Sequence, residues 1–339
     1  MAEPSVAVVI LNWNGQALLE QFLPGVMKSL YPNLQIVVGD NASTDDSVSY
    51  VRENYPEVTI IENEKNFGFA EGYRKLLDQV NADYYILLNS DVEVPPDWIM
   101  PVIRMMEADT QIAAAQPKIK WQKDKSSFEY AGAAGGYLDL HAFPFCRGRL
   151  FDTVELDNGQ YDDAQEIFWA SGAALFIRSE CWRLSGGLDP DFFAHMEEID
   201  LCWRLKNMGY KIMYCPDAEV YHVGGGTLNA NNPYKTYLNF RNNLIIMQKN
   251  LPLTDAWFRI FIRIWIDFVA WIHFLIQGKT VFAMAISKAH YHFFKYLTVN
   301  GRKRGKVQRR FSSLSGQYNS SIVYDYFGRK LKYFSELKW

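Results

Sequence analysis

The sequence predicts an α/β chain built on a mostly parallel central sheet, and three observations carry that expectation. Strand and helix signals alternate through the first half of the chain. Each of four short apolar runs there ends in turn-forming polar residues or glycine. Hydrophobic residues make up 49% of the 339, enough to bury a sizeable core.

Residues 6–11 are an apolar β run closed by the turn Asn12-Trp13-Asn14-Gly15. Residues 16–30 have helical spacing, interrupted at Pro24 and stopped by Tyr31-Pro32-Asn33. A second strand over 35–39 runs into Asp40-Asn41-Ala42-Ser43-Thr44-Asp45, a short helix over 47–54 follows, and 58–62 is a third strand. Asn66-Phe67-Gly68-Phe69-Ala70 leads into a helix through about residue 79, and the fourth strand, 84–88, ends at Asn89-Ser90-Asp91. Ligands of open α/β sheets bind beyond the carboxyl ends of the strands, so this polar punctuation sits where a crevice belongs. Each loop alone needs such residues simply to turn. Their repetition on one edge is the functional signal.

Residues 113–180 are less regular, with β-like pieces that include 167–177. A helix is expected from Glu197 to about Met208, with Gly209 as its stop. Short strands over 210–214 and 219–222 precede Gly224-Gly225-Gly226, a flexible or close-approach loop. No internal repeat or low-complexity tract is present.

The net charge of -3 conceals a split: from Ala256 onward there are 15 Lys and Arg against 3 Asp and Glu. The chain therefore divides into an acidic body, 1–255, and a basic, aromatic, helical C-terminal region, 256–339. Residues 257–277 are rich in Phe, Ile and Trp, and Arg259, Arg263 and Asp267 recur every four residues, on one helical face. The longest uncharged stretch there, 268–278, is shorter than the roughly 20 apolar residues of a membrane span. A surface-lying amphipathic helix is expected, with Arg302-Lys303-Arg304, Lys306, Arg309 and Arg310 available to anionic headgroups. The alternative is a helix whose apolar face packs on the acidic body or a second subunit. No base-reading motif accompanies the charge, so nucleic acid is not an expected partner. Oligomeric state leaves no mark in the sequence. Cys146, Cys181, Cys202 and Cys215 form no C-x-x-C pair, which argues against a zinc ribbon or redox motif and suits buried thiols in a reducing compartment. The start M-A-E-P-S carries no leader pattern, so a cytoplasmic location, peripheral on the inner membrane face, is expected.

Four groups carry candidate chemistry. Asp91, at a strand tip beside Asn89, Ser90 and Glu93, could ligate Mg²⁺ or Mn²⁺ bridging two phosphates. Asp40 and the polar residues after it could meet a base and ribose, or cap the next helix. Glu197, Glu198 and Asp200 crowd at a helix start, which raises a carboxyl pKa as a general base requires. Asp200 and Arg204 are spaced for a salt bridge, leaving the two glutamates for catalysis. His222, after a β run, could be a metal ligand or merely hydrogen-bonded.

Seven ordered motifs then resemble the family 2 glycosyltransferases, in particular the rhamnosyltransferase-like branch. They are V-V-I-L-N-W-N-G at 8–15, V-G-D-N-A-S-T-D-D-S at 38–47, N-x-G-F-A-x-G at 66–72 and L-L-N-S-D-V at 87–92. W-A-S-G-A-A-L-F-I-R at 169–178, E-E-I-D-L-C-W-R at 197–204 and Y-H-V-G-G at 221–225 complete the set. The resemblance implies a GT-A fold, a nucleotide-sugar donor and a single displacement that inverts the anomeric centre. It implies donor contacts at Leu11, Asn12, Asp40, Asn41, Ser43, Asp45, Asn66, Gly68, Asn89, Ser90 and Asp91. On the acceptor side it implies Trp169, Ser171, Gly172 and Asp200. Asp91 matches the last acid of the family's D-x-D metal motif and His222 a further metal position. Asn89 stands where the first acid often does, so the metal rests on fewer carboxylates. The family's base is usually the second acid of E-D-x-D, here Glu198, with Glu197 as the alternative.

The resulting expectation is an inverting glycosyltransferase, using dTDP-rhamnose or a UDP-sugar, acting on a lipid-linked or polysaccharide acceptor. A catalytically silent nucleotide-sugar-binding subunit is one alternative. A sugar-nucleotide nucleotidyltransferase is another, although no G-x-G-T-R-type loop follows the first strand.

Overall fold

A computed structural model describes residues 3–224, 232–304 and 310–339. Gly225 and Gly226 of the glycine loop, and Lys306 and Arg309 of the basic cluster, lie outside the described residues.

The first half alternates as the sequence predicts. Strands β1 (Val6–Asn12), β2 (Leu34–Asp40), β3 (Thr59–Glu62) and β4 (Tyr84–Leu88) are interleaved with helices α1 (Gln16–Val26), α2 (Ser47–Asn54) and α3 (Gly68–Leu77). Strand β1 pairs in parallel with β2 and β4, and β2 with β3, so the polar ends of β1, β2 and β4 share one edge. Alternation along β1 sends Val6, Val8 and Ile10 into the core beneath α1 and α4 (Ile99–Ala108), and Ala7 and Val9 into the core beneath α3.

Beyond β4 the sheet becomes mixed. The short β5 (Val92–Glu93) and the longer β6 (Ile112–Trp121) precede β7 (Asp124–Phe128), which turns back on β6. A second, five-stranded sheet holds β8 (Gly136–Asp139), β9 (Pro144–Cys146), β10 (Arg149–Leu150) and β11 (Thr153–Val154). The main sheet resumes with β12 (Gln165–Ile167), β13 (Ala174–Arg178) and β14 (Lys211–His222). The β-like stretch expected over 167–177 is thus two strands, parted by the irregular segment 168–173. The two short strands expected over 210–222 are one strand with a register break between Cys215 and Glu219. Helix α5 (Ser179–Ser185) leads toward α6 (Glu197–Asn207), which stops where Gly209 takes a φ of 95°.

The C-terminal region is α7 (Pro233–Asn250), α8 (Leu253–Ile276), α9 (Thr280–Lys295), the short α10 (Leu297–Lys303) and a return segment. That segment is not a helical extension. It brings β15 (Gln317–Tyr318) parallel to β8, and Trp339 packs against Tyr137, Phe145, Tyr318 and Phe334. Ile260, Phe293, Tyr318, Ile322 and Leu337 join the same core as the acidic body, so the two regions share one hydrophobic interior.

Helix α8 bears the expected stripe, turned inward. Arg263 and Asp267 are buried, paired with each other at 2.6 Å, and His290 of α9 reaches Asp267 at 3.0 Å. The apolar face points outward instead, with Phe258 67%, Phe261 62%, Trp265 59% and Ile276 80% exposed. The basic cluster is less free than its charge count implied. Lys303 pairs with Asp189 and Asp191, Arg304 donates to the Leu251 carbonyl, and Arg310 donates to the Lys249 carbonyl. No helix among the described residues is long and apolar enough to cross a membrane.

Candidate active site

The carboxyl ends of β1 and β2 form one hydrogen-bonded platform. Asn12 Nδ2 donates to Asp40 Oδ1 and Ser43 Oγ, both at 3.2 Å, and the Ser43 amide donates to Asp40 Oδ2 at 2.8 Å. Asn41 Nδ2 donates to Asn66 Oδ1 and the Gly68 carbonyl, both at 3.0 Å, while its Oδ1 accepts from the Phe67 amide. Six of the expected donor residues are therefore brought together at the strand ends. Leu11 packs beside them against Gly72. Asp45 acts on the framework instead, because its carboxylate accepts from the Gln16 and Ser47 amides and so ties the starts of α1 and α2. Two glycines are required here. A Cβ on Gly15 would stand 2.4 Å from Asn12 Oδ1, and Gly68, at φ +75°, abuts the Phe193 ring.

The β4 end supplies the second part. Asn89 donates its amide to the Ala173 carbonyl at 3.0 Å, and Ser90 faces Gly15. Asp91 is buried, with Oδ1 3.1 Å from His222 Nε2. The pair forms because β5, just after Asp91, is bound antiparallel to the end of β14. His222 Nδ1 stands 3.4 Å from Glu129 Oε1, a buried acid at the end of the β6–β7 hairpin. Burial opposes a charged imidazole, but the Asp91 and Glu129 carboxylates outweigh it and hold the His222 pKa up at about 10. No group of three or more His, Cys, Asp or Glu among the described residues is set out as a complete metal site. A carboxylate oxygen and an imidazole nitrogen meeting at a buried site fit a divalent cation that displaces the Nε2 proton and takes its other ligands from a diphosphate.

The third part is the start of α6. Glu197 and Glu198 each keep a buried Oε2 with no hydrogen-bond partner. Burial raises both carboxyl pKa values, and the Glu198 charge raises Glu197 further. His195, just before them, is held neutral, its pKa lowered to about 4 by burial and by Lys235. Asp200 does not share this openness. It is fully buried, accepting from Arg204 and Lys249 at 2.8 Å on Oδ2 and from Asn250 at 2.9 Å on Oδ1. Those ligands use both oxygens, so Asp200 is a structural anchor and not an acceptor contact.

Segment 169–173 joins the parts. The Ala170 amide donates to Cys202 Sγ, one turn along α6 from Glu198, while the Ala173 carbonyl receives the Asn89 amide. Within it Trp169 is buried, its indole donating to the Tyr137 carbonyl at 2.9 Å, and Ser171 is buried with its amide on Gln116. Both build the wall from behind. Gly172 is the open member, beside Phe69. Glu129 had no signal in the sequence beyond its type, because its partner lies on a distant strand.

The chain is similar to known proteins in sequence and in fold. The N-acetylglucosaminyl-diphospho-decaprenol L-rhamnosyltransferase of Mycobacterium tuberculosis is 25% identical over 230 residues, covering 63% of this chain and 75% of that one. The fold resembles the mannosyltransferase PcManGT from Pyrobaculum calidifontis, solved with GDP-Man and Mn²⁺. That match has a TM-score of 0.54 and 16% identity, over 91% of this chain and 86% of that one. It also resembles GalNAc-T7, solved with UDP, GalNAc and Mn²⁺, at a TM-score of 0.56 and 18% identity, over 73% of this chain and 48% of that one. Residues 7–144 match the family model described as Glycosyl transferase family 2. With a GT-A-like sheet and a polar platform at its strand ends, this chain is similar to glycosyltransferase family 2 over residues 7–144.

Proposed function

We propose that the enzyme transfers a sugar, with inversion, from dTDP-rhamnose or a UDP-sugar to a hydroxyl of a lipid-linked or polysaccharide acceptor. The observation that carries this reading is the buried, unpartnered Oε2 of each of Glu197 and Glu198, joined by segment 169–173 to the Asp91–His222 pair. Leu11, Asn12, Asp40, Asn41, Ser43, Asn66 and Gly68 form the base and ribose side, and Asn89, Ser90 and Asp91 face the diphosphate. Asp91 and His222 hold the cation. Their mixed oxygen and nitrogen donors favour Mn²⁺ over Mg²⁺, which prefers oxygen ligands. When bound, the cation offsets charge on the departing diphosphate. Glu198 takes the proton from the acceptor hydroxyl as that oxygen bonds to the anomeric carbon. The bond from the anomeric carbon to the diphosphate oxygen breaks, and its electron pair leaves with the nucleoside diphosphate. The acceptor approaches past Gly172.

The test is nucleoside diphosphate release from a panel of dTDP- and UDP-sugars with Mn²⁺ or Mg²⁺, in the wild type and in Asp91→Ala and Glu198→Gln. Release lost in both variants supports the reading. Turnover indifferent to both sinks it, and donor binding with no turnover marks a silent binding subunit.

The outward apolar face of α8 and α9 fits a lipid-linked acceptor, because an exposed patch of this kind marks an interaction surface. We place it on the inner face of a membrane, with Trp and Tyr at headgroup depth and Lys279, Lys288 and Lys295 at the rim. Deleting the region would open the shared core, so point changes are the cleaner probe. The triple variant Phe258→Ser, Phe261→Ser, Trp265→Ser is expected to lose most co-sedimentation with anionic liposomes while remaining folded by circular dichroism. Unchanged co-sedimentation would rule the membrane contact out.

A further inference from the structure

The backbone that delivers Glu197 and Glu198 adopts an unusual shape. Phe193, His195 and Met196 all take positive φ, of 65°, 66° and 73°. Residues with a Cβ disfavour that region and stay there only where their surroundings hold them. Every carbonyl from 191 to 195 has a partner. The Phe193 carbonyl accepts from the Phe69 amide of α3 at 3.2 Å. The other four are reached by two neighbouring residues of α7, and that of Phe192 also accepts from the Ala194 amide at 2.8 Å.

We propose that Asn242 and Arg241 are positioning residues that fix the loop 191–196 and thereby aim the catalytic carboxylate of α6. Asn242 is fully buried, and its Nδ2 lies 3.2 Å from the Phe192 carbonyl, 3.0 Å from that of Ala194 and 2.7 Å from that of His195. Its Oδ1 accepts from Arg241 Nε at 2.9 Å, which sets which way the amide faces. Arg241 Nη2 donates to the Asp191 and Phe192 carbonyls at 2.9 and 3.1 Å. Its Nη1 donates to Tyr237 Oη at 3.1 Å, and that hydroxyl meets His292 Nδ1 of α9 at 2.7 Å. Further along α7, Lys249 and Asn250 hold Asp200, so α7 grips α6 both before its first turn and within it. Carbonyl directions fix the backbone angles, and the angles at 193–196 fix where α6 begins. Without the clamp the loop relaxes to ordinary angles, the start of α6 shifts, and water reaches the two glutamates.

This inference rests on the reading of Glu198 as the base, but one of its measurements does not depend on activity. Asn242→Ala is expected to lower kcat by about 10²-fold, as a misplacement of roughly 1 Å does, with the donor KM little changed. The apparent pKa limiting kcat should fall toward the ordinary carboxyl range as Glu198 becomes hydrated. Its titratable neighbours, Glu197 beside it and Cys202 one turn along, are unaltered by the substitution. Arg241→Lys, which keeps a donor for the same carbonyls, should retain more activity than Arg241→Ala. Amide hydrogen exchange over 192–196 should rise in Asn242→Ala while 243–248 keeps its protection. Arg241→Ala and Arg241→Lys carry the same exchange measurement should Asn242→Ala fail to fold. Unchanged exchange over 192–196 overturns the clamp, as does a kcat loss that tracks lost stability with the pH profile unmoved. If Glu198→Gln keeps turning over, the base assignment fails while the exchange result still decides the clamp.

Discussion

Asp91→Ala is expected to lower kcat by about 10³-fold or more and to remove its dependence on Mn²⁺, since Lewis-acid stabilisation of a leaving diphosphate contributes several kcal/mol. The size of the effect follows from how few ligands the pocket offers. Position 89, two residues before Asp91, is an asparagine, and Glu129 faces the far nitrogen of His222, so Asp91 is the carboxylate that meets Nε2 among the described residues. On the proposed reading, Glu129 would act on a bound cation by orienting His222, as outer-shell carboxylates do. Glu129→Gln should therefore cost less than Asp91→Ala, within the roughly 10–100-fold typical of such groups. Nucleoside diphosphate release across a Mn²⁺ titration measures both. An Asp91→Ala enzyme that still responds to Mn²⁺ would show that the cation sits elsewhere.

What the sequence disclosed and what it withheld divide along the range of the interactions. The gathering of polar residues at the strand ends was legible because a strand end and its following turn are local: Asn12, Asp40, Asn41 and Asn66 announce themselves by position, and parallel pairing gathers them on one edge. Asp200–Arg204 was legible for the same reason, being four residues apart on one helix. Orientation was not legible. The motif around Trp169 and Ser171 marks an important segment, yet both side chains face inward and only Gly172 stays open. Pairings across the chain were hidden as well. Glu129 meets His222 from a separate hairpin, β15 returns to β8 from far along the chain, and strands of two to four residues in the second sheet show no periodicity. The basic cluster shows the limit of counting charge. Lys303 spans to Asp189, and nothing at residues 302–310 announces that partner. Arg241 and Asn242 lie in α7, a stretch with no distinguishing motif, and their partners are carbonyls, which no sequence displays.

Glu198→Gln is expected to lower kcat by about 10²–10⁴-fold, the usual worth of a positioned base, while leaving donor binding intact. The same substitution should make the protein more stable at pH 8. Burial raises the Glu198 carboxyl from 4.5 to about 7, so the folded state keeps a proton that the unfolded chain has already released. Stability associated with this group is full below about pH 4.5 and declines as pH rises through about 7. Glutamine is neutral throughout, so the gain of the variant over wild type should be absent below pH 4.5, grow across that window and level off above it. Its size should be at most about 3 kcal/mol, with Glu197 shifting in the same direction. Thermal melts at pH 4.5 and pH 8, alongside turnover, read both effects. A variant that loses turnover but is no more stable at pH 8 would mean that the carboxylate is already well solvated in the resting enzyme. If Glu197→Gln abolishes turnover while Glu198→Gln spares it, the base is Glu197, and the unpartnered oxygen that matters is the one raised further by its neighbour's charge. Opposite signs for activity and stability are what separate a strained catalytic acid from a structural one such as Asp200, whose paired carboxylate should lose stability on substitution at neutral pH.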